Sequence, residues 1–166
     1  MTSTHTTTYT FTHTATFLAD VIMSNMLGIL VSLGIDSSRL RQDWNRDLSA
    51  IAAWIGERCL AKVVLECQRP DGTTAPIFEF PVRYESTGKG DESFVKDNAA
   101  IARYAAKLKS VPSGTTFRLV CTYNGEHSKQ PGWSSTTRAS TSALVSRSLG
   151  TIGSGPHAST SAIIYS

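Results

Sequence analysis

The chain has 166 residues, of which 40% are hydrophobic and 17% are charged, and its formal net charge is +3. This length fits one domain, and the hydrophobic share is sufficient for a buried core. Because the 16 Lys and Arg residues are scattered and form no block, the composition argues against direct binding of nucleic acid.

The cysteines and the first residues bear on the cellular compartment. Cys59, Cys67 and Cys121 have no Cys-x-x-Cys spacing, and their number is odd, which argues against a disulfide scaffold and against a zinc site. Residues 1–16 contain no Lys or Arg, whereas a secretory signal begins with a basic region. We therefore expect a cytoplasmic protein with reduced thiols.

The N-terminal third predicts a short strand followed by a long helix. Residues 6–14 alternate threonine with Tyr9, Phe11 and His13, which predicts an edge-like strand. Residues 15–33 predict a helix that begins at an N-cap, Thr14, and ends before Gly34. Its apolar residues surround almost the whole helix, so the helix is expected at the centre of the domain.

The same apolar run is nearly long enough to span a bilayer. Asp20 and Asn25 interrupt it, and it lacks basic or aromatic anchors. These features favour a buried core helix over a membrane span.

A second helix is expected at residues 47–58, followed by a β-hairpin with strands at 61–69 and 77–85. The turn between them contains Pro70-Asp71-Gly72, in which Pro presets φ and Gly permits a positive φ. Because Pro81 has no N–H to donate, the second strand is expected at a sheet edge or bulged there.

A third helix is expected from Asp91-Glu92-Ser93 to about residue 110. A strand is then expected at residues 115–123, where apolar residues alternate with Arg118, Val120 and Thr122.

Residues 124–166 differ in composition from the rest of the chain, with four charged residues and 16 Ser or Thr. Their apolar residues are spaced like the anchors of extended segments, which predicts a mostly extended arm packed on the core. Glycines at positions 150, 153 and 155 are expected to break this arm.

No catalytic constellation is present in the sequence. It contains no Gly-x-Ser-x-Gly, P-loop or His-Glu-x-x-His motif, and its four histidines are far apart. We expect a protein that is not an enzyme and that carries no cofactor or metal. Trp133, which follows Pro131-Gly132, either pins the arm to the core or latches it around a ligand, and the sequence leaves both interpretations open.

Several local motifs, in this order, resemble bacterial HORMA-domain proteins of the type found beside cyclic-oligonucleotide synthases in CBASS antiphage operons. Thr12-His13-Thr14 leads into the first helix, and Leu33-Gly34-Ile35-Asp36 ends it. Trp54-Ile55 precedes the strand motif Leu60-Ala61-Lys62-Val63-Val64-Leu65-Glu66. The arm contains Gly132-Trp133-Ser134, Arg138-Ala139-Ser140-Thr141 and Leu149-Gly150. The resemblance covers nearly the whole chain.

The resemblance implies an α+β fold with three helices on a mainly antiparallel sheet. It implies a single domain, 1–166, made of an N-terminal strand or arm (1–14), a helix–sheet core (15–123) and a C-terminal safety belt (124–166). The belt would wrap a closure-motif peptide, which adds a strand to the domain. The peptide would come from a partner protein or from the chain's own tail.

The resemblance also implies which residues contact the peptide. The strand beside it would contribute Phe117, Leu119, Cys121 and Tyr123. The belt would contribute Gly132, Trp133, Arg138, Ser140, Leu144, Leu149, Gly150, Ile152, Gly155, Ile163 and Ile164.

By resemblance, the closed form would bind and activate the synthase, a cGAS-like nucleotidyltransferase. An AAA+ ATPase would reopen it, with the Thr-rich residues 2–12 as a handle, and a second HORMA protein is a further expected partner. The alternative is a structural protein that assembles into a homo-oligomer through exchanged terminal arms. A small hydrolase is a third alternative.

Overall fold

The computed structural model describes residues 2–85, 94–97, 99–108 and 110–166. Among these described residues, four helices and six strands follow one another: α1 (Thr2–Leu33), α2 (Ser38–Gln42), α3 (Trp44–Gly56), β1 (Leu60–Gln68), β2 (Thr74–Tyr84), β3 (Val95–Lys96), α4 (Ala99–Ala105), β4 (Thr116–Tyr123), β5 (Ser146–Gly155) and β6 (Ala158–Tyr165).

The six strands form one sheet in the order β3-β5-β6-β2-β1-β4, and every neighbouring pair is antiparallel. α1 packs against α3, α4, β5 and β6, so the helices form a layer on one face of the sheet. We call this the helical face. The predicted α+β class is confirmed.

α1 is the centre of the core, as predicted. Leu18, Ile22, Met26 and Ile29 along it are fully buried. Residues Phe11–Leu33 are long and apolar enough to cross a membrane by length and composition, but they pack within the domain core. The helix ends at Gly34, where the Gly34 N–H donates to Val31 O and the Ile35 N–H donates to Leu30 O, at 3.1 and 2.9 Å.

The predicted N-terminal strand is wrong, because α1 begins at Thr2 and includes residues 6–14. Thr14 is therefore a buried residue inside the helix and does not cap it. Phe11, Ala15 and Leu18 are buried at helical spacing, and the Arg58 guanidinium lies 3.9 Å from the centre of the Phe11 ring. Packing on the core thus overrides the β-propensity of the threonine-rich segment.

The predicted hairpin is confirmed, but β2 is not an edge strand, since it pairs with β1 on one side and β6 on the other. Its register with β6 is Glu79 to Ile163 and Val82 to Thr160, and between these pairs the ladder skips Pro81 without a bulge. The Thr160 hydroxyl donates to Pro81 O at 2.9 Å. A central strand therefore accommodates the proline by losing local pairing.

The predicted second helix, residues 47–58, is confirmed as α3, which begins earlier, at Trp44, and ends at Gly56, and the short helix α2 precedes it. The predicted start of the third helix, residues 91–93, lies outside the described residues. The described helix, α4, ends at Ala105, earlier than predicted, and the predicted strand at residues 115–123 is confirmed as β4.

The arm forms a loop over residues 124–145 and then the β5–β6 hairpin, whose second strand pairs with β2. The prediction that glycines break this arm is wrong at positions 150 and 153, which lie inside β5, whereas β5 ends at Gly155, where the chain turns into β6. A Cβ on Gly153 would lie 3.0 Å from Val21 Cγ1, so this glycine allows α1 to approach the strand closely. Gly150, with φ of +78°, lies beside a register shift between Ser148 and Gly150.

Candidate functional site

β4 is the outermost strand at one side of the sheet. It pairs with β1, and no described strand pairs with its other edge. An unpaired edge presents a row of N–H and C=O groups that can bind an additional strand.

Residues 124–145, which we call the edge loop, pass around this free edge. Near its start, the His127 ring stacks on Tyr123 with a centroid separation of 3.6 Å, and Trp133 packs edge-on against Trp54 of α3 at 5.2 Å. Farther along, Arg138 contacts Glu79 from the opposite face of the sheet. The edge loop therefore leaves β4 on the helical face and returns across the other face.

The helical-face part of the edge loop is held by α3 and the residue that follows it. The Trp54 indole N–H donates to Ser128 O at 2.8 Å. The Glu57 carboxylate accepts from the Ser128 N–H at 3.0 Å and from its hydroxyl at 2.6 Å. These bonds fix the edge loop immediately after it leaves β4.

On the opposite face, Glu66 of β1 holds the edge loop. The Glu66 side chain is fully buried. It accepts from Arg118 Nε at 2.5 Å and from the Ala139 N–H at 2.6 Å. Arg118 also donates to Thr137 O at 2.6 Å, so one ion pair binds the loop backbone from both of its members.

Glu79 of β2 makes a second such contact. Its buried carboxylate accepts from Lys62 Nζ and from Arg138 Nη2, each at 2.7 Å. Burial raises the pKa of Glu79, but the hydrogen bonds and charges of Lys62 and Arg138 more than offset this, so the pKa is lowered. The carboxylate is therefore charged at neutral pH.

Apolar contacts complete the docking on this face. Three buried strand residues form a small cluster, on which Ala139 and Leu144 of the edge loop pack together with Tyr165: Val64, Ile77 and Val120. The edge loop thus covers a face of the sheet that would otherwise expose these side chains.

Between the edge loop and β4 lies a cavity of about 750 Å³, within the usual size of ligand pockets. Its helical-face wall is largely aromatic and contains Trp54, Tyr123, His127 and Trp133, while Ser134, Ser135 and Thr136 supply hydroxyl groups elsewhere. The cavity follows β4 from Leu119 to Tyr123, so it can accommodate an extended segment alongside the strand.

A smaller cavity of about 150 Å³ adjoins the first near the start of β4, and Leu119 and Trp133 line both. Its other walls include Arg39, Asp43, Arg46 and Asp47. Burial raises the pKa of the Asp47 carboxyl, although Arg46 and the neighbouring Trp133 indole act in the opposite direction.

Six of the predicted site residues line these two cavities. Phe117 and Gly132 line the smaller cavity, Cys121 and Tyr123 line the larger one, and Leu119 and Trp133 line both. Trp133 therefore packs on the core and also borders the cavity, so the two interpretations of this residue are compatible.

The other predicted residues lie away from the cavities. Arg138 and Leu144 dock the edge loop on the opposite face, and Ser140 lies in a turn there, where its hydroxyl accepts from the Ser142 N–H. The remaining six belong to the hairpin, separated from β4 by β2 and β1: Leu149, Gly150, Ile152 and Gly155 in β5, and Ile163 and Ile164 in β6.

Sequence reasoning missed the residues that hold the edge loop. Glu66 and Glu79 lie on the same sheet face as Val64 and Ile77. Acidic and apolar residues that share one face of two adjacent strands indicate that another segment covers that face. Trp54 and Glu57 gave no such signal, because their partner, Ser128, is more than 70 residues away.

The site offers little for catalysis. Burial raises the pKa of the Cys121 thiol in the cavity wall and raises that of Cys67 to about 12, so neither thiol is an activated nucleophile. Within the part of the chain that the structure describes, no three His, Cys, Asp or Glu side chains cluster as a metal site.

Comparison with known proteins identifies a family and a fold. The model of the family described as "Bacterial HORMA domain 2" matches residues 1–165. No curated protein matches the chain. Several solved structures do, all at sequence identities that establish the fold alone.

One matching chain comes from the crystal structure of the mitotic checkpoint complex, with a TM-score of 0.73, 10% identity, and coverage of 91% of this chain and 97% of that chain. A second is C. elegans HTP-2 bound to the HIM-3 closure motif, with a TM-score of 0.71, 13% identity, and coverage of 92% and 89%. A third comes from the E. coli MS115-1 CdnC:HORMA-deltaN complex, with a TM-score of 0.58, 14% identity, and coverage of 93% and 87%. The predicted HORMA-like fold is confirmed.

Proposed function

The chain belongs to the bacterial HORMA domain 2 family, and from this we propose that it is a peptide-binding conformational switch in antiphage signalling. HORMA domains are generally non-catalytic binding domains. In the proposed cycle, the safety belt, residues 124–166, closes around a closure-motif peptide. The closed form then binds and activates a cyclic-oligonucleotide synthase in the bacterial cytoplasm.

The observation that carries this proposal is the cavity enclosed between the free edge of β4 and the edge loop. A peptide that enters it as a strand gains main-chain hydrogen bonds from β4, while the cavity walls select its side chains. Since the edge loop is anchored on both faces of the sheet, a bound peptide would be encircled and could leave only slowly.

Two structural neighbours support the choice of partners. HTP-2 was solved with a closure motif, and a bacterial HORMA protein was solved in a complex with CdnC. We extend these two kinds of partner to this chain, and we add an AAA+ ATPase that reopens the belt and a second HORMA protein as family-based expectations. The N-terminal handle proposed for the ATPase lies at the start of α1.

The experiment combines the purified chain, a peptide that binds it and a cyclic-oligonucleotide synthase that co-purifies with it, and measures conversion of nucleoside triphosphates to cyclic products. The test variant is Ser135→Trp. Ser135 is exposed and lines the cavity, so the added indole would occupy the peptide path without removing a core contact. The matched control is Ala143→Trp, at an exposed edge-loop position outside the cavity.

We expect wild type and Ala143→Trp to stimulate the synthase and Ser135→Trp to lose this stimulation. Equal stimulation by all three would contradict the proposal that activation depends on an occupied cavity. A truncation after Tyr123 is unsuitable as a control, because it would remove Ile152, Ala158 and Ile164 from the domain core.

A further inference from the structure

The two cavities lie next to each other along β4 and differ chemically at their far ends. They meet at Leu119 and Trp133. The end near Tyr123 is aromatic, whereas the end near Phe117 is bordered by the charged residues of α2 and α3. A peptide lying along β4 would pass both ends.

At the charged end, most polar groups already have partners. Asp43 and Asp47 each bind Arg46, at 3.1 and 3.2 Å. Arg118 is bound to Glu66 and to Thr137 O. Because these groups already bind other residues of the protein, they have little remaining capacity to bind a ligand.

Two groups at this end remain available, and both are hydrogen-bond donors. The exposed side chain of Arg39 has no ion pair among the residues that the structure describes. The Trp133 indole nitrogen is buried and makes no hydrogen bond of normal geometry in the same set, although it lies close enough to the Asp47 carboxylate to lower its pKa. A buried N–H without an acceptor is costly, so a ligand that brings an acceptor to this end would be favoured.

We propose that the smaller cavity is a subsite for an acidic side chain, Asp or Glu, of the bound peptide. The Arg39 guanidinium would supply the charge and the Trp133 indole N–H a directed hydrogen bond. This inference rests on the peptide-binding function proposed above and adds the chemistry of the peptide to it.

The register of β4 also fixes where the acid lies in the peptide. Phe117, Leu119, Cys121 and Tyr123 all face the helical side, and side chains of an added strand alternate between the two faces. The acidic residue and an apolar residue that packs near Trp54 and Tyr123 must therefore point the same way. They are separated by two or four positions in the peptide.

A selection of random twelve-residue peptides displayed on phage tests this inference with the full chain as bait. The variant Arg39→Glu reverses the charge at the subsite. Arg41→Glu is the matched control, because Arg41 is an exposed residue of the same short helix, hydrogen-bonds Ser37 and does not line the cavity.

Wild type and Arg41→Glu should enrich peptides with Asp or Glu two or four positions from a large apolar residue. Arg39→Glu should lose the acidic preference and keep the apolar one. In a synthetic copy of an enriched peptide, replacing the acid by its amide should weaken binding to wild type about 10- to 100-fold, the factor that corresponds to a charge-assisted hydrogen bond. Amidating the peptide's C-terminus should change little; a large effect there would assign the subsite to a terminal carboxylate and contradict a side-chain ligand.

An enriched motif without an acid, or one that Arg39→Glu leaves unchanged, would overturn the subsite while the peptide-binding function stands. If wild type enriches no peptide, or if enriched peptides bind Ser135→Trp equally well, the proposed function itself fails and the subsite with it.

Discussion

The residues that most directly hold the belt are two buried carboxylates. Glu66 and Glu79 lie on a sheet face that the edge loop covers. Each carboxylate accepts one hydrogen bond from a core residue and one from a group of the edge loop. Because Arg118 and Lys62 come from the core, each carboxylate keeps a cation when the edge loop leaves, and water then replaces the lost partner. The edge loop can therefore undock without leaving either carboxylate buried and unpaired.

Replacing Arg138 by alanine should loosen the edge loop. Glu79 would keep Lys62 but lose one charge-assisted hydrogen bond in a buried position, which costs about 1.5–3 kcal/mol. Amide hydrogen exchange should accelerate across residues 136–145. Lys129→Ala is the control, since this exposed lysine of the same loop has no ion pair within the described residues. Equal exchange in both variants would show that Arg138 does not hold the loop.

The lowered pKa of Glu79 predicts a pH dependence of stability. Its contribution is fully present above the pKa of an unfolded glutamate, about 4.3, and is lost as the pH falls through the lower folded value. The difference in unfolding free energy between wild type and Glu79→Gln should therefore shrink as the pH falls from 7 to 3, as measured by urea denaturation. A difference that is constant over this range would contradict the ionised pair with Lys62 and Arg138.

At the scale of elements, local patterns were sufficient for the β1–β2 hairpin, for β4 and for the end of α1. Each of these depends on alternation or on turn and cap residues that lie next to one another in the chain. The start of α1 was mispredicted because Phe11 finds its partners in the core. Gly153 and Gly155 of β5 were misread because they leave room for Val21 and Phe94, which lie far from them in the chain.

The candidate site was predictable to a similar extent. The alternation of β4 and the motif Gly132-Trp133 pointed to residues that line the two cavities. Most of the site's anchors join residues that lie 59 to 74 positions apart, such as Arg138 with Glu79 and Trp54 with Ser128, and such pairings depend on the tertiary fold.

The edge loop turns at Gly132, which has φ of +80°. A Cβ there would also lie 2.5 Å from Arg46 Nη1, so alanine would be strained by its backbone and would displace Arg46 from Asp43 and Asp47. We expect Gly132→Ala to reduce the unfolding free energy by about 1–3 kcal/mol. Gly125→Ala, in open space on the same loop, should be nearly neutral. Equal losses in urea denaturation would contradict this account of the turn.

At the scale of the whole molecule, the belt docks on its own chain. β6 fills the position between β5 and β2 within the same chain, so a single copy completes this part of the sheet without a second one. Light scattering of the purified chain should give the mass of a monomer. A defined homo-oligomer that disassembles when the hairpin is altered would instead favour the assembly protein that was considered as an alternative.

The central claim is that a peptide adds to the free edge of β4 beneath the edge loop. Residue-resolved amide hydrogen exchange, with and without a peptide recovered by the phage selection, tests it most directly. Because only alternate amides of a strand point toward one neighbour, the peptide should slow exchange at every second residue of Thr116–Tyr123 and across residues 124–145. Protection confined to other strands, or no change in β4, would contradict peptide binding at this edge.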